Sequence, residues 1–233
     1  MLKATNLHKE YGSVKALQGV DLQVKSGEIY ALLGPNGAGK TTTINLFLGF
    51  LKPTSGEVWV EEVNVGNNPL LARRLLGYIP ENVTLYPHLS GIENLEYFSG
   101  LAGHHYSVDS LIQFLNESGL PETAFKRRVE TYSKGMRQKV GIAIALAKKA
   151  KALLLDEPTS GLDPQASNDF SGLIARLAEN GTAILMATHD LFRAKETSHR
   201  IGIMKNGTMQ TELEAASISA NQLESFYLEY MHG

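Results

Sequence analysis

One octapeptide constrains this chain more than any other feature: Gly34-Pro35-Asn36-Gly37-Ala38-Gly39-Lys40-Thr41, set between two stretches of different texture. Before it runs Ile29-Tyr30-Ala31-Leu32-Leu33, a continuous apolar run with the pattern of a strand buried on both faces. After it, apolar residues at 44, 47, 48 and 51 recur with a helical period over residues 41–51. Strand, G-x-x-x-x-G-K-[ST] loop and helix, in that order, are the parts of a phosphate-binding loop. Glycines let successive backbone N–H groups curl around phosphate oxygens, and the helix N-terminus adds the positive end of its dipole. Lys40 then reaches the terminal phosphates as a point charge, and the Thr41 hydroxyl is a ligand for Mg²⁺.

The second half of such a site is a carboxylate at the end of a buried strand, and Ala152-Leu153-Leu154-Leu155-Asp156-Glu157 supplies it. Alone, an acidic pair after an apolar run is often a strand leaving the core. Beside the loop at 34–41 it assigns Mg²⁺ to Asp156, directly or through water, and the polarisation of an attacking water to Glu157.

The rest of the chain alternates in the same way. Strands are expected at residues 2–7, 19–24, 28–33, 57–60, 152–155 and 182–187, and helices at 41–51, 92–101, 108–115 and 164–178. Asp163 followed by Pro164 is a helix start, because Asp caps the first free amides and Pro suits the first turn. Residues 85–138 have a helical texture interrupted by Gly119-Leu120-Pro121, a candidate helical subdomain. The strand–helix–strand–helix order around it implies a mostly parallel α/β sheet. Asn206-Gly207 reads as a turn between two edge strands. Beyond it lies one amphipathic helix with Leu223, Phe226, Tyr227 and Tyr230, expected to be a cover or an oligomer contact.

Composition narrows the function classes. At 233 residues the chain is one generous domain, or one domain carrying a subdomain. Its 22 Lys and Arg against 24 Asp and Glu leave no basic surplus to attract nucleic acid or an anionic membrane. Hydrophobic residues at 43% and charged residues at 20% argue against a disordered, collagenous or coiled-coil chain. Without cysteine there is no disulfide, thiolate metal site or cysteine nucleophile. No run approaches the roughly 18 apolar residues of a transmembrane helix. The first six residues carry one positive charge and no apolar core, unlike a secretory signal. A soluble protein that stays where it is made is expected.

Three further motifs complete an ordered set. Tyr132-Ser133-Lys134-Gly135-Met136-Arg137-Gln138 opens a helix between the two nucleotide motifs, Pro158-Thr159-Ser160-Gly161-Leu162-Asp163 follows Glu157, and Thr188-His189-Asp190 follows the next strand. From Tyr11 to about Gly207 this set resembles the nucleotide-binding subunit of ATP-binding cassette (ABC) transporters. The resemblance implies an α/β fold: a P-loop NTPase core with a mostly parallel sheet, an antiparallel β subdomain and an inserted helical subdomain. Residues 1–233 would be a single ABC ATPase domain, with residues 1–84 and 139–207 as β subdomain and core. Residues 85–138 would be the helical subdomain carrying the signature, and residues 208–233 a C-terminal tail. ATP and Mg²⁺ follow as its ligands.

Carried onto this sequence, the family's Walker A loop puts Gly34, Pro35, Asn36, Gly37, Ala38, Gly39, Lys40, Thr41 and Thr42 on ATP. Walker B falls on residues 153–156, with Glu157 catalytic, and the D-loop on residues 160–163. By the same resemblance His189 would be the switch histidine that contacts the γ-phosphate, and Tyr11 the aromatic that stacks on adenine. Ser133 and Gly135, in the signature at 132–136, would face a γ-phosphate, and Thr41, Glu81 and Asp156 would attend the metal.

Two places depart from the family pattern. The signature typically reads Leu-Ser-Gly-Gly-Gln, whereas here Lys134 replaces the first Gly and Met136 the Gln. The segment Gly77-Tyr78-Ile79-Pro80-Glu81 ends in Glu where the family usually has Gln; Glu81 still accepts from a metal-bound water, but lacks an amide donor and adds charge. Both variants resemble the ABC-2-type exporter subgroup, which serves six-helix permeases for drugs, lipids or polysaccharides.

Because the family completes each ATP site with the signature of a second subunit, one copy of each motif implies two chains closing around two ATP molecules, expected as a homodimer. The pore then belongs to a separate integral membrane permease, to which residues 85–129 pass the motion. The chain is expected at the cytoplasmic face of the membrane, held peripherally by that permease, with no nucleic acid as partner. The alternative is a soluble ABC ATPase acting on DNA or ribosomes. The gap from Glu81 to Tyr132 lacks the long coiled coil of the DNA-acting members, and the single cassette is unlike the paired cassettes of the ribosome-acting ones. A nucleotide switch with little turnover is a third class, disfavoured by the intact Glu157.

Overall fold

The computed structural model describes residues 1–232, arranged as two sheets and a helical block around three apolar cores. The antiparallel sheet begins with β1 (Leu2–Tyr11) and β2 (Val14–Val24), whose alternating Leu2, Ala4, Leu17, Val20 and Leu22 turn inward. With β4 (Ser55–Val60) and β5 (Val63–Asn64) its order is β2-β1-β4-β5. β1 runs four residues past the expected end at Leu7. A register shift between Ala4 and Leu7, with Asn6 at φ 45°, breaks the alternation, so pairing to β2 carries the strand on through polar residues.

The second sheet has the order β10-β9-β3-β8-β7-β6, where β3 is Ile29–Leu33, β6 Leu76–Ile79, β7 Ala152–Asp156, β8 Ala183–Thr188, β9 Arg200–Lys205 and β10 Thr208–Glu214. All pairings are parallel except that of β10 with β9. Its central strands are buried on both faces: Ile29, Ala31 and Leu33 enter one core, while Tyr30 and Leu32 enter the core shared with the antiparallel sheet. Two features differ from the sequence reading. β6 is a strand that four residues containing a glycine do not announce, and β9 is an inner strand, so the Asn206-Gly207 turn joins an inner strand to an edge.

Helix α1 (Lys40–Phe47) ends before the expected residue 51, and residues 48–51 leave it through turn hydrogen bonds such as Phe50 N–H to Asn45 O at 3.0 Å. α2 is Pro69–Leu75, and α3 (Gly91–Leu101) and α4 (Val108–Glu117) pack on α5 (Lys134–Ala147) to form the third core through Leu95, Leu111, Leu115, Val140 and Ala143. The boundary expected at residue 138 falls inside α5, which also rests on the sheet through Ile142 and Ala145. α6 (Pro164–Glu179) starts from the Asp163 cap, which accepts from Ala166 N–H at 2.8 Å, and α7 is Leu191–Thr197. α8 (Ala220–His232) is a cover, with Leu223 buried in the second core and Phe226 turned outward.

The parallel register places the function-bearing loops together. Leu33 lies opposite Thr188, Asp156 opposite Ala187, and Ile79 opposite Leu155, so the chain leaves β3, β8, β7 and β6 along one edge of the sheet.

Gly77 on β6 admits α5 at close range: a Cβ there would lie 2.5 Å from Leu153 Cδ2 and 2.6 Å from Ala145 Cβ. Gly77→Val is expected to cost about 1–3 kcal/mol by overpacking, seen as a melting midpoint lowered by about 2–4 °C for each kcal/mol in thermal unfolding.

Candidate nucleotide site

The loop from Gly34 to Lys40 is held by its own backbone. Gly34 N–H donates to Thr188 O at 3.2 Å, and Ala38 N–H to Pro35 O at 3.1 Å. Gly39 sits at φ 108°, and a Cβ on it would lie 2.7 Å from Ala16 O, so any other residue would push the loop off β2. No side chain caps α1 and its first turn carries no acidic residue, leaving its N-terminal N–H groups available to an anion. Lys40 is buried and donates from Nζ to Gly34 O at 2.7 Å and Pro35 O at 3.2 Å.

These atoms border a cavity of about 630 Å³, a size fit for a small-molecule site. Residues 35–42, Glu81, Asp156 and Glu157 line it, joined by Val14, Lys15, Ala16, Gln18 and Asn206. Gln18 was not legible as a site residue. Its Nε2 donates to Asn206 O at 2.8 Å and its N–H to Gly207 O at 2.8 Å, while Gly207 N–H donates to Ala38 O at 2.9 Å. The β9–β10 turn thus braces the phosphate loop against β2, a long-range contact with no local sequence signal.

Asp156 is buried, and Thr41 Oγ1 donates to its Oδ1 at 3.3 Å. Burial pushes its carboxyl above the usual range, the charges of Glu157 and Glu81 add to that, and the Thr41 hydroxyl and Lys40 oppose it. Among the described residues no three His, Cys, Asp or Glu side chains converge as a metal cage. One buried carboxylate beside a hydroxyl is instead the oxygen set of a Mg²⁺ held largely by phosphates and water, so the residues fit that ion.

Glu157 has a left-handed backbone, φ 49°, fixed by its N–H donating to Ala187 O at 2.9 Å. That conformation turns its side chain back to the phosphate loop, with Oε1 3.5 Å from Lys40 Nζ. Oε2 meets His189 Nδ1 at 2.9 Å and accepts from His189 N–H at 3.4 Å. Among the described residues Oε1 is buried and accepts no hydrogen bond, standing at ion-pair distance from the Lys40 ammonium beside the loop. Gln138 is also buried, its Nε2 donating to Pro158 O, which ties α5 to the turn after Glu157.

Five expected site residues do not line the cavity: Gly34, which accepts from Lys40 behind the loop, His189, which meets Glu157, and Tyr11, Ser133 and Gly135, which stand farther off. Tyr11 is at the tip of the β1–β2 hairpin, half exposed under Lys9 Nζ at 4.9 Å from its ring, and does not line the cavity, although Val14 across the turn does. Ser133 caps α5, accepting from Met136 N–H at 3.2 Å, and neither it nor Gly135 borders the cavity of its own chain. Met136 packs against the helical core instead of presenting a polar group. Glu81 is at the cavity mouth, where Ser160 Oγ donates to its Oε1 at 3.1 Å.

Because Asp156 is harder to ionise in the folded chain than in the unfolded one, its charge opposes folding at neutral pH; its contribution is favourable in acid and lost as pH rises through the raised value. Asp156→Asn is expected to raise the melting midpoint of the nucleotide-free chain at pH 7, with the gain shrinking as unfolding is measured at pH values approaching 4, near the unperturbed Asp value of ~3.9.

Comparison with known proteins gives the family. The family model described as ABC transporter matches residues 17–160, more than half of the chain. The uncharacterized ABC transporter ATP-binding protein YdbJ of Bacillus subtilis (strain 168) is 40% identical over 214 residues, covering 91% of this chain and 69% of its own. The bacitracin transport ATP-binding protein BcrA of Bacillus licheniformis is 37% identical over 216 residues, covering 91% and 69%. Among solved structures, the dimeric post-hydrolysis state of the ATP-binding cassette MJ0796 bound to ADP and Pi superposes with a TM-score of 0.81 at 28% identity, covering 92% of this chain and 99% of that one. This chain belongs to the ABC transporter family, as an ATP-binding subunit that hydrolyses ATP.

Proposed function

We propose that two copies of this chain close around two ATP molecules and drive a separate membrane permease, moving cargo outward. The observation that carries this reading is the split of the site: Lys40, Asp156 and Glu157 line the cavity, while Ser133 and Gly135 stand outside it at the start of α5. A phosphate site with half its contacts on another face of the same molecule is completed by a second copy. The dimeric form of MJ0796 supports the same arrangement.

Within the site, the backbone N–H groups at the start of α1 and Lys40 hold the β- and γ-phosphates. Thr41, Asp156 and Glu81 would hold Mg²⁺, which would supply positive charge to the phosphoryl oxygens. Glu157 offers Oε1, which accepts no hydrogen bond among the described residues, to the proton of the attacking water. His189 grips Oε2 and so fixes the direction in which Oε1 points.

A groove of about 590 Å³ supports the permease as partner. It lies between α2 and the helical block, floored by Leu76, Gly77 and Tyr78 of β6. Phe50, Leu70 and Leu101 border it with 60%, 69% and 69% of their surface in solvent, beside Arg73 and Arg74. β6 ends at Ile79 and the chain continues through Pro80 to Glu81, so one strand and the loop after it join the groove to the nucleotide cavity. Among the described residues no helix is long and apolar enough to cross a membrane, and we assign the pore to the permease. The chain is then held at the cytoplasmic face. The name of BcrA supports transport as the task, and Lys134, Met136 and Glu81 support the exporter subgroup.

Two outcomes test this reading. Glu157→Gln is expected to lower phosphate release about 10²–10⁴-fold with ATP affinity retained, and hydrolysis at the wild-type rate would remove Glu157 from its role. The same tagged variant, held with ATP and Mg²⁺ and drawn from detergent-solubilised membranes, is expected to carry a polytopic membrane protein at about two-to-two stoichiometry. Recovery of soluble protein or ribosomes instead would replace the permease with the soluble alternative. Changing Phe50 and Leu101 together to Asp is expected to cut that capture about tenfold or more while phosphate release by the isolated chain stays within about twofold.

A further inference from the structure

The two departures from the family pattern meet in space. Lys134 Nζ lies 3.5 Å from Glu81 Oε1, the oxygen that also accepts from Ser160 Oγ at 3.1 Å. Three segments therefore converge on one carboxylate: the loop after β6, the first turn of α5 and the turn at residues 160–163. Lys134 is the first residue of α5, where free N–H groups and the helix dipole disfavour a cation, and that first turn has no acidic residue of its own. Glu81 supplies the missing anion from another loop. The amine also reaches across the turn, standing 3.8 Å from where a Cβ of Gly161 would be. Glu81 at the same time borders the cavity with Lys40, Thr41 and Asp156.

We propose that Lys134 is a positioning residue that holds Glu81 against the signature helix and the 160–163 turn of its own chain, in competition with Mg²⁺–nucleotide for that carboxylate. The inference rests on the reading of Glu81 as a group that faces the metal. An ammonium and a divalent cation repel each other at the same carboxylate, so loading one displaces the other. The side chains are 21% and 49% exposed, and such a pair is weak and screened by salt, which suits a contact broken in every cycle. Metal loading at Glu81 thereby frees the first turn of the signature helix in the same subunit. By linkage, removing the competitor strengthens metal-dependent binding.

The test is an equilibrium titration of dilute protein with a fluorescent non-hydrolysable ATP analogue, in EDTA and in saturating Mg²⁺, the ratio of the two affinities being the readout. Lys134→Gln is expected to raise that ratio about two- to fivefold, the range of an exposed ion pair, and Lys134→Arg to leave it near wild type. Glu81→Ala is expected to lower the ratio, and Lys134→Gln added to Glu81→Ala to change it no further. An equal effect of Lys134→Gln in both backgrounds would mean that Lys134 acts on the nucleotide directly, and no effect in either would mean that it holds nothing; each overturns the proposal while leaving the site reading intact. A ratio unmoved by Glu81→Ala would take Glu81 off the metal, and the site reading for that residue would fall together with the proposal.

Discussion

The arrangement of this protein depends on the parallel pairing of β3 with β8 and of β8 with β7. Those three strands are buried on both faces, so their backbone groups are satisfied by one another and their side chains are divided between two cores by the two-residue period alone. Slipping one strand by a single residue would exchange the two sets and move Asp156 out of line with Ala187. The cores therefore fix the register, and the register fixes which loops lie side by side. Lys40 and Glu157 stand 3.5 Å apart although 117 positions separate them in the chain, because each follows the end of a strand in the same sheet.

Assembling the site on that edge opposes stability. Asp156 is held with its charge disfavoured by burial, and Glu157 keeps a left-handed backbone that costs an L-residue about 1–2 kcal/mol. A buried acceptor on Glu157 takes no hydrogen bond among the described residues, with only the Lys40 ammonium at 3.5 Å to offset its charge. Each of these is unfavourable for the free chain, and in the proposed reaction a cation would offset the charge of Asp156 and an attacking water would donate to Glu157. The surrounding fold absorbs the cost through elements whose own burial is complete, including Leu33, Leu154 and Leu185, each fully buried Leu contributing about 1.5–3 kcal/mol.

How much of this the sequence disclosed depends on how local the determining physics is. The phosphate loop was legible because strand, glycines and helix are contiguous, and Asp156-Glu157 because a buried strand ends at them. The start of α6 was legible from Asp163 and Pro164, since a cap acts within three residues. β6 was not, for four residues with a glycine become a strand only by pairing with β7 and lying beneath α5. Nor was the extension of β1 to Tyr11, which its partner imposes across a bulge. The brace of Gln18 on Asn206 spans 188 positions, and the left-handed turn at Glu157 is set by Ala187, so neither leaves a mark on neighbouring residues.

The helical block is an insertion, and its attachment decides what it can transmit. The chain enters it after Glu81 and returns at the first turn of α5, so the ion pair of Glu81 with Lys134 closes the neck of the insertion. Beyond that neck α5 is shared: Val140, Ala143 and Ala147 face the helical core, while Ile142 and Ala145 face the sheet. Met136 and Gln138 anchor its first half, one in the helical core and the other on Pro158 beside Glu157. A helix wedged into two close-packed cores moves as a rigid body or not at all, because such packing is bistable and does not deform continuously. The compliant place is then the exposed link at the neck, where one weak ion pair joins the first turn of α5 to Glu81, which the Ser160 hydroxyl holds in turn, while the buried tie of Gln138 to Pro158 stays with the rigid helix. The replacement of an amide by a carboxylate at Glu81 thus changes both ends of the coupling at once, since the same charge that would meet the metal is the charge that closes the neck.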